Sequence, residues 1–110
     1  MPSPRSSPPD AVFDALADPT RRTVLELLRT TPVMTAGELA AAFPSISRPA
    51  VSRHLRILRE AGLVVAAQDG REWQYSLDAR PLAEVTQRWF AQFAPLWEGA
   101  LANLKRRAED

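Results

Sequence analysis

Four arginines fall between Ser45 and Gly62, at positions 48, 53, 56 and 59, against one glutamate, Glu60. A guanidinium group is a rigid fork of donors that matches the oxygens of a phosphate or carboxylate and the O6/N7 edge of guanine. Read on a helix, Ser52, Arg53, Arg56 and Arg59 share one face, with Arg48 and His54 at its edges. Val51, Leu55 and Leu58 recur at helical spacing on the opposite face. One side of this stretch is built to be held, the other to touch something anionic. His54 is the one histidine of the chain and borders the apolar stripe. It leaves two roles open, a donor to a phosphate or a partly buried structural residue against the preceding turn.

Other chemistries lack their residues. With no cysteine there are no disulfides, thiolate metal sites or thiol redox reactions. No Ser–His–carboxylate set and no glycine-rich phosphate loop is present, and one histidine without cysteine makes no zinc site. The sequence therefore reads as no enzyme and needs no cofactor. Net charge over 110 residues is only +1, so the basic character is local and implies a defined docking surface. No apolar run approaches the roughly 20 residues that span a bilayer, and the N-terminus lacks a signal-peptide core. The expected compartment is the cytoplasm, with no membrane partner.

The elements that must position the arginines follow from caps and stops. Ser47 can cap the helix that carries them, Pro49 falls in its first turn, and Ile46 and Val51 have the spacing of a hydrophobic staple. Gly62 suits the left-handed residue that ends it, letting Leu63 fold back onto Leu58. Upstream, Thr35 and Glu38 form a capping box for a short helix that Pro44 ends. Two short helices joined by a tight turn, the second basic, is a helix-turn-helix pattern. Before it, Asp10 can cap a first helix with Val12, Phe13 and Leu16 inward. Asp18-Pro19 starts a second, with Val24, Leu27 and Leu28 as its stripe. Arg21 and Arg22 sit in that helix's first turn, the wrong end for its dipole, and read as a solvated pair or as phosphate contacts. Residues 1–9, rich in proline and serine, read as a disordered tail.

After Gly62 the period changes to two. Val64 and Ala66, then Trp73, Tyr75 and Leu77, alternate on either side of Asp69-Gly70, a strong hairpin signal. This hairpin is a wing with Arg71 at its tip, either a nucleic-acid contact or a solvated turn residue. Pro81 begins a last helix running to about Arg107. Its apolar positions, Leu82, Val85, Trp89, Phe93, Leu96, Trp97, Leu101 and Leu104, exceed what so small a domain can cover. With Val12 and Phe13 they are the candidate homodimer interface. Pro95 lies inside that pattern and is expected to kink the helix. The aromatic stripe Trp89, Phe90, Phe93 and Trp97 reads as dimer core or as the wall of a small-molecule effector pocket.

The expected fold is mainly α with a small β-hairpin. It is a winged helix-turn-helix over residues 10–80, with a three-helix core, followed by a dimerisation helix over 81–107. The candidate DNA-binding residues are Ser47, Arg48 and Pro49 at the first turn, Ser52, Arg53, His54 and Arg56 along the helix, and Arg71 on the wing. Arg53 and Arg56 are the base readers, and Ser47 and Arg48 suit a phosphate.

Asp18-Pro19-Thr20-Arg21, then Ser52-Arg53-His54-Leu55-Arg56-Ile57-Leu58 and Glu60-Ala61-Gly62-Leu63-Val64, resemble the ArsR (arsenical-resistance repressor) family of bacterial winged-helix regulators over roughly Asp10 to Leu77. The resemblance is closest to the branch without a metal site. It implies a homodimeric repressor of transcription bound to double-stranded DNA, with the last helix joining the dimer. Metal sensors of that family carry Cys-x-Cys where this chain has Thr35 and Gly37. Their other site uses histidines and carboxylates on the last helix, where only Glu84 and Glu98 stand, so no metal is expected. The reading from a different class is a winged-helix module whose basic helix docks an acidic protein.

Overall fold

The computed structural model describes residues 8–109. Helix α1 spans Pro8–Leu16 and α2 spans Pro19–Thr30. Asp18 caps α2, its carboxylate accepting from the Arg21 N–H at 3.1 Å, with Pro19 at the first helical position. A two-residue strand β1, Met34–Thr35, leads directly into α3, Ala36–Ala41. The Thr35–Glu38 capping box is formed in both directions, as its spacing predicts. Next come α4, Arg48–Glu60, the hairpin strands β2, Val64–Asp69, and β3, Glu72–Leu77, and then α5, Arg80–Arg88. A 3-10 turn over Phe90–Phe93 precedes α6, Ala94–Glu109.

The sheet has three strands in the order β1-β3-β2, all antiparallel, with Met34 opposite Tyr75 and Val64 opposite Leu77. β1 is an element the sequence reading lacked. Two residues are too few to show a period, and the strand exists because β3 offers it an edge. The core gathers Val12 and Ala15 of α1, Val24, Leu25 and Leu28 of α2, and Leu39 of α3. Val51, Leu55 and Leu58 of α4 join them, with Leu63, Val64 and Val85. Leu27, expected inside, is only partly buried, and Leu25 takes its place. Each fully buried leucine contributes about 1.5–3 kcal/mol, and α4 is clamped from beneath by α1, α2, α3 and β2.

Three expectations are corrected. α1 begins at Pro8, so Asp10 lies within the helix rather than capping it. Prolines at a helix start lose no intrahelical bond, which lets the turn begin inside what reads as tail. For residues 1–7 the expectation concerns positions outside those described. The last helix is not continuous. Backbone helicity is re-routed at residues 89–93, upstream of Pro95, and Pro95 falls in the first turn of α6, where its missing N–H has no cost. Finally, Val12 and Val85 are 2% and 5% exposed within a single chain, so they belong to the protomer core, with Leu82 packed against it. They are not free for a dimer partner.

Candidate nucleic-acid interface

Helix α4 is built as its sequence dictates. Ser47 caps it, its Oγ accepting from the Ala50 N–H at 3.3 Å, and Pro49 lies in the first turn. Ile46, the expected staple partner of the buried Val51, packs against the core. At the far end Gly62 has φ +77°, the left-handed conformation that suits glycine. The Gly62 N–H donates to Arg59 O and the Leu63 N–H to Leu58 O, both at 3.0 Å, a Schellman pair that closes the helix. Both ends are thus fixed, and so is the rotation of the helix about its axis.

That rotation exposes Ser52, Arg53, Arg56 and Arg59 while Val51, Leu55 and Leu58 face inward. Among the described residues the guanidinium groups of Arg48, Arg53 and Arg59 make no hydrogen bond or ion pair. Arg56 lies 4.0 Å from Glu60 one turn on, but both side chains are largely exposed, so the pair holds little. Arg48 extends over the start of α3, with Nη2 3.6 Å from where a Cβ on Gly37 would stand. The face therefore offers unpaired cations beside the N-terminus of α4, whose dipole also favours an anion, although Pro49 has no N–H and the Ala50 N–H is held by Ser47 Oγ.

His54 is placed differently. Its side chain is four-fifths covered, with Nδ1 3.1 Å from Arg21 Nη1 and 3.9 Å from Asp18 Oδ2. Of the two roles left open, the geometry favours the structural one for this edge of the ring. Arg21 also departs from both of its readings. Its Nε donates to Ala15 O at 2.8 Å and its Nη2 to Asp14 O at 2.9 Å, while Arg22 Nη1 donates to Leu16 O at 2.7 Å. Two arginines at the unfavourable end of their own helix dipole serve the favourable end of the helix before it. Their separation from the last carbonyls of α1 is the signal that could have revealed this. Burial pushes the Asp18 carboxyl up, but the Arg21 N–H, the His54 and Arg21 charges and the Thr20 N–H outweigh it. The carboxyl stays below its ordinary value.

On the wing, Asp69 pairs with Glu72, leaving Gly70-Arg71 as a two-residue turn with Gly70 at φ +63°. Arg71 is exposed at the tip, and Gln74 Nε2 donates to Asp69 Oδ2 at 3.2 Å, bracing the base of the turn. Between α1 and the segment after α5, Phe13 meets Trp89 and Phe90 edge-on, with centroids at 5.3 and 6.1 Å. Trp89 also meets Phe93 at a tilt of 58°, centroids 5.0 Å apart. Beyond this cluster Leu96, Leu101 and Leu104 are 72%, 62% and 59% exposed.

A family profile described as a helix-turn-helix domain matches residues 16–65, from the end of α1 into β2. The HTH-type transcriptional regulator Rv2034 of Mycobacterium tuberculosis is 47% identical over 75 residues, covering 68% of each chain. The transcriptional repressor SdpR of Bacillus subtilis is 40% identical over 82 residues, covering 74% of this chain and 88% of that one. A crystal structure of an ArsR family transcriptional regulator, RHA00566, superposes with a TM-score of 0.73 at 32% identity over 83% of this chain and 91% of the other. The chain belongs to the ArsR family of winged helix-turn-helix regulators. As an ArsR-family member it is a transcriptional regulator with a DNA-binding domain, not an enzyme. Among the described residues no helix is long and apolar enough to cross a membrane, and no cluster of three metal-ligating side chains occurs.

Proposed function

We propose that this ArsR-family chain is a homodimeric repressor that places two α4 helices in successive major grooves of an inverted repeat. Their spacing would be about 34 Å, one turn of the duplex. The observation that carries this reading is the outward row of arginines on a helix whose two caps and buried stripe hold it rigid. Arg53 and Arg56 read guanine edges. Ser47, Arg48 with its backbone N–H, and Pro49 sit on phosphate, Ser52 serves either, and Arg71 reaches the flanking groove from the wing. A repressor among the relatives supports the sign of regulation, exerted where bacterial DNA lies, in the cytoplasm.

The dimer is carried by Phe13, Trp89, Phe93 and Trp97 with Leu96, Leu101 and Leu104, an apolar face too large to leave in water. Metal control is not part of the reading. Thr35 commits its hydroxyl to the α3 cap and Gly37 has no side chain, so neither position of the family's thiolate pair can hold a soft metal.

The test is an electrophoretic mobility shift on a duplex taken from upstream of the gene itself, with scrambled duplex as competitor. Sequence-dependent retardation by a dimer supports the reading. Equal retardation of both duplexes, or none, overturns it and leaves a module that docks an acidic protein.

A further inference from the structure

We infer that Arg21 is a positioning residue for the DNA-reading helix, acting through His54; the inference rests on the DNA-binding role proposed for α4. One guanidinium joins three elements. On one side it holds Asp14 O and Ala15 O at the end of α1, and on the other Nη1 lies 3.1 Å from Nδ1 of His54, in the middle of α4. Its own backbone N–H is fixed by the Asp18 cap. The arrangement requires an arginine. Three acceptors in different directions need a planar fork, and an ammonium group on a lysine stem cannot serve them together.

The contact also determines the chemistry of the imidazole. A guanidinium has donors only, so at 3.1 Å Nδ1 must be the acceptor and the neutral ring carries its proton on Nε2. Nε2 has no hydrogen-bond partner among the described residues, yet it is not among the buried unpaired atoms, so it reaches solvent. His54 thereby presents an N–H donor outward from α4 while its inner edge is tied to α1 and α2. Without Arg21 the inner edge would face only the Asp18 carboxylate, at 3.9 Å. A carboxylate is an acceptor, so the proton would move to Nδ1 and the outward edge would lose its donor. Arg21 thus sets both where α4 lies and which ring nitrogen it offers.

His54 is the chain's single histidine, so its ring nitrogens give one pair of 15N signals, of which Nε2 is told from Nδ1 by its coupling to Hδ2. They are to be read at about pH 9, well above the ordinary histidine pKa. In the wild-type protein Nδ1 should carry the unprotonated shift and Nε2 the protonated one. In Arg21→Met, and in Arg21→Ala should the first variant fail to fold, the Nδ1 signal should move toward the protonated position. Operator affinity should fall on the order of tenfold in Arg21→Met, as for one hydrogen bond to a charged group. It should fall no further in Arg21→Met/His54→Phe than in the weaker single variant, because the two residues act as one unit. A protonated Nδ1 in the wild type, unchanged ring signals in both Arg21 variants, or affinity losses that simply add would overturn the inference. The ring signals are read without DNA, so they decide the link even if the operator reading fails.

Discussion

At the scale of single residues, the proposed interface separates into groups that would read and groups that would place. Arg53 stands in the middle of the exposed row with no partner among the described residues, which leaves its fork to the base edge proposed for it. Arg53→Ala should cost roughly 1–3 kcal/mol of operator affinity and relax one base position. Arg48, at the N-terminus of α4, is assigned to the phosphate backbone on the proposed reading. Arg48→Ala should weaken binding to every sequence alike and reduce the log–log salt slope by about 0.9. Fluorescence anisotropy on an operator set with single-base changes, repeated over a salt series, separates the two. Loss of discrimination in Arg48→Ala with none in Arg53→Ala would reverse the assignments. Serine, arginine and spacing made this row legible before any coordinates. The interior role of Arg21 was not legible, because its partners are carbonyls of another helix, and backbone atoms carry no residue type.

At the scale of elements, caps were the most readable feature. Asp18, Thr35, Ser47 and Gly62 all act where local chemistry places them, since capping is decided within three or four residues. Gly62→Ala forces a Cβ into the left-handed region, and should cost about 1–2 kcal/mol in chemical denaturation. The nearest atom to that Cβ would be Pro81 Cγ at 3.6 Å, an ordinary contact, so the loss is conformational rather than steric. The start of α5 depends on Asp78. Hydrogen bonds from the Arg80 side chain and backbone N–H hold its carboxyl down to about 2. Because the folded value is depressed, the contribution is complete above the ordinary carboxylate range and is lost as pH falls through about 2. Asp78→Asn should therefore lower the urea midpoint at neutral pH and flatten its decline between about pH 4 and about pH 2. An unchanged acid slope would show that Asp78 has no part in it. Where the sequence misled, the cause was non-local. The strand β1 needs β3 beside it, and the break at residues 89–93 comes where Phe13 draws Trp89 and Phe90 onto α1.

At the scale of the whole molecule, the described chain is elongated, 61 × 41 × 24 Å, because α6 packs chiefly on the 3-10 turn and little else. Its leucines have little cover among the described residues of the protomer. Leu101→Glu should shift sedimentation equilibrium to the monomer and weaken operator binding on the order of 100-fold, the advantage that linking two half-site readers supplies. A variant that stayed dimeric would move the interface elsewhere. The bare α6 has one more implication. A sixteen-residue helix with one side bare gains much of its stability from packing, so on the dimer reading this arm is firmed when two chains meet. Copy number then enters the response twice, once through pairing and again through occupancy of the site. Such a switch would stay quiet in a cell making few molecules and turn on over a narrow range of abundance.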